Sequence, residues 1–175
     1  KKMTTIKDFK HFDPLKTNSS LIPDKPGVYI IVLRDKSNLP KVDLDCVFTK
    51  IFDKKVIYVG ISNKSLQKRD YRQHFNGNAG SSTFRKSLGS LFGFSKIPRS
   101  LNRDDGKTKF NEKDENFIST WMKNNLEFYY LSHPNYASIE NLLIDKLNPP
   151  LNLSKNYNQT NSEFRSLLST LRSKR

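Results

Sequence analysis

The chain has 175 residues, long enough for one domain with a sizeable core and too short for two ordinary ones. Lys and Arg number 31 against 17 Asp and Glu, a formal net charge of +14, so a polyanion is the expected partner, although net charge speaks to association and not to fold. The single cysteine, Cys46, excludes an internal disulfide, no apolar run approaches the roughly 20 residues that a membrane span requires, and the start Lys1-Lys2-Met3 lacks the apolar core of a signal peptide.

Residues 4–26 place Phe9, Phe12, Leu15, Leu21 and Ile22 among Asp, Lys, Asn and Pro, which predicts a packed but irregular segment with one helical turn. Residues 27–34, opening with the β-branched run Gly27-Val28-Tyr29-Ile30-Ile31-Val32-Leu33, read as the first strand; 35–45, with Pro40, reads as a loop. A second apolar run over Cys46–Phe52 turns through Asp53-Lys54 into Lys55-Val56-Ile57-Tyr58-Val59-Gly60, and the expectation is a small antiparallel sheet. The two tyrosines, presented from adjacent strands, would set two phenolic oxygens close together, and a phenol can donate, accept or exchange a proton.

After Gly60 the pattern turns helical. Ser65 is the expected N-cap, Leu66 opens the helix, and Lys68, Arg69, Arg72 and His74 follow before Asn76-Gly77 ends it. This is either a solvated basic face or a phosphate-binding one. A further helix is predicted from Phe84, Leu88 and Leu91, capped by Ser81 or Ser82; its N-terminal amides with Arg85 make either a phosphate seat or plain capping. Lys86, Lys96, Arg99, Arg103 and Lys107 continue the local basic charge as expected phosphate contacts, the last four within a long loop spanning 94–110. Asn111 caps the next helix, whose first turn is acidic and whose stripe includes Trp121 as core; a strand over Glu127–Ser132 completes the sheet.

The helix near Tyr136–Leu147 carries Glu140 in line with Tyr136, Leu143, Ile144 and Leu147, so its carboxylate is half in the core. Such a group must be paired, hydrogen-bonded or metal-bound, because burying it alone costs several kcal/mol. Asn148-Pro149-Pro150-Leu151-Asn152 ends that helix abruptly. At the tail, Thr160-Asn161-Ser162-Glu163 has the form of a capping box, followed by an apolar stripe of Phe164, Leu167, Leu168 and Leu171 and a basic opposite face. This last helix has three destinations open to it: the domain itself, a second subunit, or DNA.

Gly27-Val28-Tyr29, Tyr58-Val59-Gly60, a helix with Arg69, Glu140 on a later helix and the Asn148–Asn152 turn, in that order, resemble the GIY-YIG nuclease superfamily over about residues 27–152. The resemblance implies an α+β domain with a central antiparallel sheet of about three strands flanked by helices, here with insertions, an N-terminal extension (1–26) and a basic C-terminal helical extension (153–175). It also implies phosphodiester hydrolysis with one divalent cation, Mg²⁺ or alternatively Mn²⁺, held by Glu140. Tyr58 would activate water, Arg69 would stabilise charge on the phosphate, and Tyr29 would support the site. The spacing from Tyr58 to Leu66 is one residue longer than the commonest in the family, which leaves Lys68 or Arg72 open for the role of Arg69, with Arg85 in reserve. Arg72, His74, Ser81, Ser82 and Asn152 join the lysines and arginines above as expected DNA contacts.

Insertions at 35–54 and 76–112, without large appended modules, resemble the small restriction endonucleases of the superfamily. Double-stranded DNA would be the partner, a homodimer one arrangement, and the cytoplasm of a prokaryotic or phage-infected cell the location. A phage or mobile-element endonuclease is the near alternative. From another class, a DNA-binding module that has lost catalysis would need the basic face but not Glu140.

Overall fold

The computed structural model describes residues 6–16, 18–102 and 104–174, with the backbone alone at 70–73. Five antiparallel strands, β1 (Lys10–Phe12), β2 (Gly27–Leu33), β3 (Lys50–Ile51), β4 (Lys54–Ser62) and β7 (Leu126–Ser132), form one sheet in the order β1-β7-β2-β4-β3. The sheet is wider than the expected three strands because an outer strand needs few residues and no apolar pattern. β1 comes from the segment read as irregular, and β3 retains only two residues of the run at 46–52. Ahead of β3, the Asn161 side chain takes both backbone groups of Val47, accepting from its N–H at 2.7 Å and donating to its carbonyl at 2.8 Å, in place of a strand partner. The β3–β4 turn falls on Phe52-Asp53, both at positive φ, one residue earlier than read.

β2 is buried along its whole length, as a strand with no polar face must be. Tyr29 lies opposite Gly60, and Tyr58 opposite Ile31, so the two tyrosines share a sheet face. Gly60 is demanded by space: a Cβ there would sit 2.3 Å from Cζ and Oη of Tyr29. Gly27 meets the same limit against the Leu131 carbonyl oxygen, at 2.2 Å. The register with β2 slips between Ile31 and Val32, from Tyr58 to Val56, leaving Ile57 as an extra residue. This bulge lets Ile57 and Tyr58 enter the same core cluster, although they are consecutive in a strand.

That cluster lies under the helices that follow. A π-helix, Gln67–Phe75, is introduced by Ser65, whose hydroxyl accepts from the Lys68 N–H. α1 (Thr83–Leu91) is capped by Ser82 and α2 (Glu112–Asn125) by Asn111, as their sequences predict. Phe75, Phe84, Leu88, Ile118 and Met122 pack here on Tyr29 and Phe128, and Trp121 is half-buried at the margin. Between α1 and α2 the expected loop folds into a hairpin, β5 (Lys96–Pro98) with β6 (Thr108–Phe110). α3 (Tyr136–Leu147) covers the opposite sheet face, setting Leu143, Ile144 and Leu147 against Val28, Ile30 and Val59.

α4 (Ser162–Ser173) packs on α1 and buries Phe164 and Leu168 in the first core. Of the three destinations open to it, the helix takes its own domain, and each of those two side chains contributes about 1.5–3 kcal/mol of burial. The capping box does not form. Asn161 is the N-cap at φ 69° and directs its side chain to Val47, and Arg165, read as part of a basic face, is buried.

Candidate active site

The turn after α3 builds the site. Asn148 adopts a left-handed conformation (φ 43°) that stops the helix, and the two prolines cannot continue it. Leu151 then donates its N–H to the Ile57 carbonyl at 3.1 Å. The Asn152 amide brackets Val59, accepting from its N–H and donating to its carbonyl, both at 2.8 Å. The turn thus takes the place of a strand along the outer edge of β4 where short β3 does not reach. It fixes the end of α3, and Glu140, about two turns earlier, arrives beside Tyr58.

Tyr58 and Glu140 line one cavity of about 190 Å³, together with Thr83, Ser154, Lys155 and Arg172. Both are nearly buried, at 9% and 7% exposure. Glu140 Oε1 accepts from Lys155 Nζ at 2.9 Å, so the buried carboxylate has a cationic partner. Among the described residues no three His, Cys, Asp or Glu side chains gather as a metal cage. A hard cation that keeps most of its waters and takes one carboxylate fits this donor set; a Zn²⁺-type cage does not.

Burial raises the Tyr58 phenol above its ordinary pKa; Arg69 and Arg172 pull it down, and Glu140 pushes it up again. The neutral phenol is the resting form. Tyr29 lies diagonally across from it, ring centroids 6.3 Å apart, fully buried. Its hydroxyl meets His74 Nε2 at 2.5 Å, and His74 Nδ1 meets Ser82 Oγ at 2.6 Å. Burial, with Arg69 and Arg85 nearby, holds His74 well below its ordinary pKa, so one ring nitrogen donates and the other accepts. Tyr29 to Ser82 is therefore a buried neutral chain that ties the strand to the start of α1.

A family model described as the GIY-YIG catalytic domain matches residues 27–174. The chain belongs to the GIY-YIG family. Comparisons with curated proteins and with solved structures gave no match. Membership makes this a nuclease catalytic domain, with DNA as the substrate it implies. None of the helices in the described residues is long and apolar enough to cross a membrane.

In this GIY-YIG domain the expected site residues part company. Tyr58 and Glu140 come together in one cavity, while Tyr29 stands beside Tyr58 in the core, outside that cavity's lining. Arg69 is half-buried, near enough to act on both Tyr58 and His74, and donates from Nη1 to the Ser81 carbonyl at 3.3 Å. Lys68 is exposed, as is Ser81. Arg85 is not a phosphate contact: its side chain is fully buried, and its guanidinium pairs with Glu115 Oε1 at 3.0 Å. His74, Ser82 and Asn152 are likewise spent on internal bonds and nearly inaccessible, so none of them is a surface DNA contact. Arg72 lies where only backbone is described, and Arg103 lies outside the described residues.

Ser81, Lys86, Arg99 and Lys107 do gather, around a second cavity of about 410 Å³ that also has Thr83 and Arg172 in its wall. Arg99 there bonds the Gly80 carbonyl and pairs with Asp105. Lys96 stands apart: its ammonium donates to the carbonyls of Leu171 and Lys174 at the end of α4. Sequence reasoning missed Lys155 and Arg172 in the Tyr58 cavity. Arg172 falls on the basic face of the last helix, whose destination the sequence leaves open, and no local pattern marks the loop that carries Lys155.

Proposed function

We propose that this nuclease is a divalent-metal-dependent DNA endonuclease, and more narrowly a type II restriction enzyme. The observation that carries the reading is the meeting of Tyr58 and Glu140 in one cavity whose wall is shared with a basic cavity. A Mg²⁺ or Mn²⁺ ion on Glu140 would supply Lewis-acid polarisation of a phosphate oxygen. The remaining work falls to the chain. Tyr58, once ionised, accepts the proton of the attacking water, with Arg69 and Arg172 favouring the phenolate against burial. Tyr29 holds that face of the sheet in place through His74. Lys86, Arg99 and Lys107 take backbone phosphates of the bound strand.

Sequence recognition would belong to the material added to the core, the segment at 35–53 and the β5–β6 hairpin. A homodimer would present two such sites to a palindromic duplex. The test is incubation of the protein with unmethylated phage DNA and Mg²⁺. Discrete fragments from the wild type, absent with Tyr58→Phe and Glu140→Gln, are expected. A smear would remove the restriction role, and DNA bound but uncut would move the protein to the class of inactive DNA-binding modules.

A further inference from the structure

The last helix reaches the active site. Arg172 lines both the cavity that holds Tyr58 and Glu140 and the larger basic one that holds Lys86, Arg99 and Lys107, so it stands where the two meet. No side chain or carbonyl among the described residues pairs with its guanidinium. Arg69, by contrast, donates to the Ser81 carbonyl and is not in the wall of either cavity.

Arg172 is also held. Phe164 and Leu168, two turns and one turn earlier on the same face, anchor α4 in the core. Beyond them Lys96 reaches from the β5–β6 hairpin to the carbonyls of Leu171 at 2.8 Å and Lys174 at 2.9 Å. A cation on the last carbonyls satisfies orphan acceptors and the negative end of the helix dipole, and these two carbonyls flank residue 172.

The surroundings are electrostatically unbalanced. Burial lowers the pKa of Lys86 and of Lys96; Arg172 lowers both further, joined by Lys107 at Lys86 and by Lys86 at Lys96. Cations that depress one another in this way gain when an anion arrives among them.

We propose that Arg172 is a catalytic residue of this nuclease that binds the scissile phosphate where the two cavities meet, with Lys96 as its positioning residue. The proposal rests on the endonuclease reading. In that reaction the water oxygen bonds to phosphorus as the ester P–O bond breaks. The water proton passes to the Tyr58 phenolate, and solvent protonates the departing oxygen. Negative charge grows on the oxygens around phosphorus, and a planar guanidinium with two parallel N–H groups is shaped to meet it. An arginine without a partner among the described residues loses no bond to them in doing so.

The experiment is single-turnover cleavage of unmethylated phage DNA with Mg²⁺, beside equilibrium binding of the same DNA, for wild type, Arg172→Ala, Arg172→Lys and Lys96→Met. Thermal melting of each variant establishes that it is folded. Arg172→Ala is expected to lower the rate at saturating DNA by about 10²-fold, the usual loss for one transition-state donor, with a much smaller change in affinity. Arg172→Lys should recover part of the rate. Lys96→Met should lower the rate while leaving the salt dependence of binding unchanged, because its ammonium is engaged with α4 and neutralises no phosphate. A wild-type rate for folded Arg172→Ala, or a loss confined to affinity, overturns the proposal and leaves the endonuclease reading standing. An inert wild type overturns that reading, and this proposal with it.

Discussion

Glu115→Gln should destabilise the whole domain, because this carboxylate is the counter-charge of a guanidinium with no access to water. Arg85 is 0% exposed; its Nε and Nη2 donate to Glu115 Oε1 at 3.1 and 3.0 Å, and its Nη1 donates to the His74 carbonyl at 2.7 Å and to Ser119 Oγ at 2.9 Å. The other carboxylate oxygen accepts from the backbone N–H of Ala79 at 2.9 Å and of Phe110 at 3.0 Å. The pair thus joins the end of the π-helix, through Arg85, and the approach to α1 and the end of the hairpin, through Glu115, to α1 and α2. An amide retains a single acceptor oxygen. Its NH₂ must face either the guanidinium or the two backbone donors, and the buried positive charge is left without its partner.

Breaking a buried pair by removing one member costs about 3–5 kcal/mol, against a total stability of roughly 5–15 kcal/mol for a domain. At about 2–4 °C per kcal/mol for a chain of this size, the melting temperature should fall by roughly 6–20 °C. Urea unfolding followed by circular dichroism gives the free energy directly. Removing both charges, as in Arg85→Met with Glu115→Leu, should not restore the wild-type value, since the Ala79 and Phe110 N–H groups would still lack an acceptor, at about 1–3 kcal/mol each. A Glu115→Gln protein that melts with the wild type would refute the reasoning. So would an Arg85→Lys protein that keeps its stability and loses cleavage, the pattern of a catalytic arginine.

Tyr58→Phe should fold, bind DNA and lose roughly 10²- to 10⁴-fold in cleavage, the range of general-base work. Tyr29→Phe should lose less activity and more stability, about 1–3 kcal/mol, because it strands a His74 nitrogen in the core; urea melts beside cleavage rates check the ranking, and the reverse order would exchange their roles. Glu140→Gln should keep the fold and most DNA affinity, yet fail to cleave and show no Mn²⁺ binding by calorimetry, and full activity would remove Glu140 from the site. The pKa of His74 is depressed in the fold, so the unfolded chain takes up its proton first as pH falls. Its contribution is therefore complete above about pH 6.5 and is lost below, at up to about 1.4 kcal/mol per pH unit; unfolding free energies of wild type and His74→Gln between pH 7.5 and 5.5 should converge accordingly, and a pH-independent difference would contradict the neutral buried ring.

What could be read from the chain alone was whatever is encoded within a few residues. The tyrosine strands declare themselves by β-branched runs, α3 by its period and its Asn-Pro-Pro stop, and the starts of α1 and α2 by Ser82 and Asn111, whose short side chains reach their own helix amides. The glycines of the two short motifs could be noticed, but only the crossing of the Tyr29 ring over Gly60 explains the second.

The tertiary structure decided the rest, because contacts between distant segments leave no local pattern. A cation at the start of a helix looks the same whether it meets solvent or a glutamate 30 positions away, and so Arg85 read as a phosphate ligand and proved to be a buried tie. Asn161 looked like part of a capping box; its two-handed amide was instead taken by Val47, 114 residues earlier. β1 is an edge too short to show any alternation, and the final helix carries a basic face that could have turned anywhere. Packing of Phe164 and Leu168 on the core, with Lys96 on the helix end, buried Arg165 and set Arg172 in the wall of the Tyr58 cavity, while Lys174 stayed exposed.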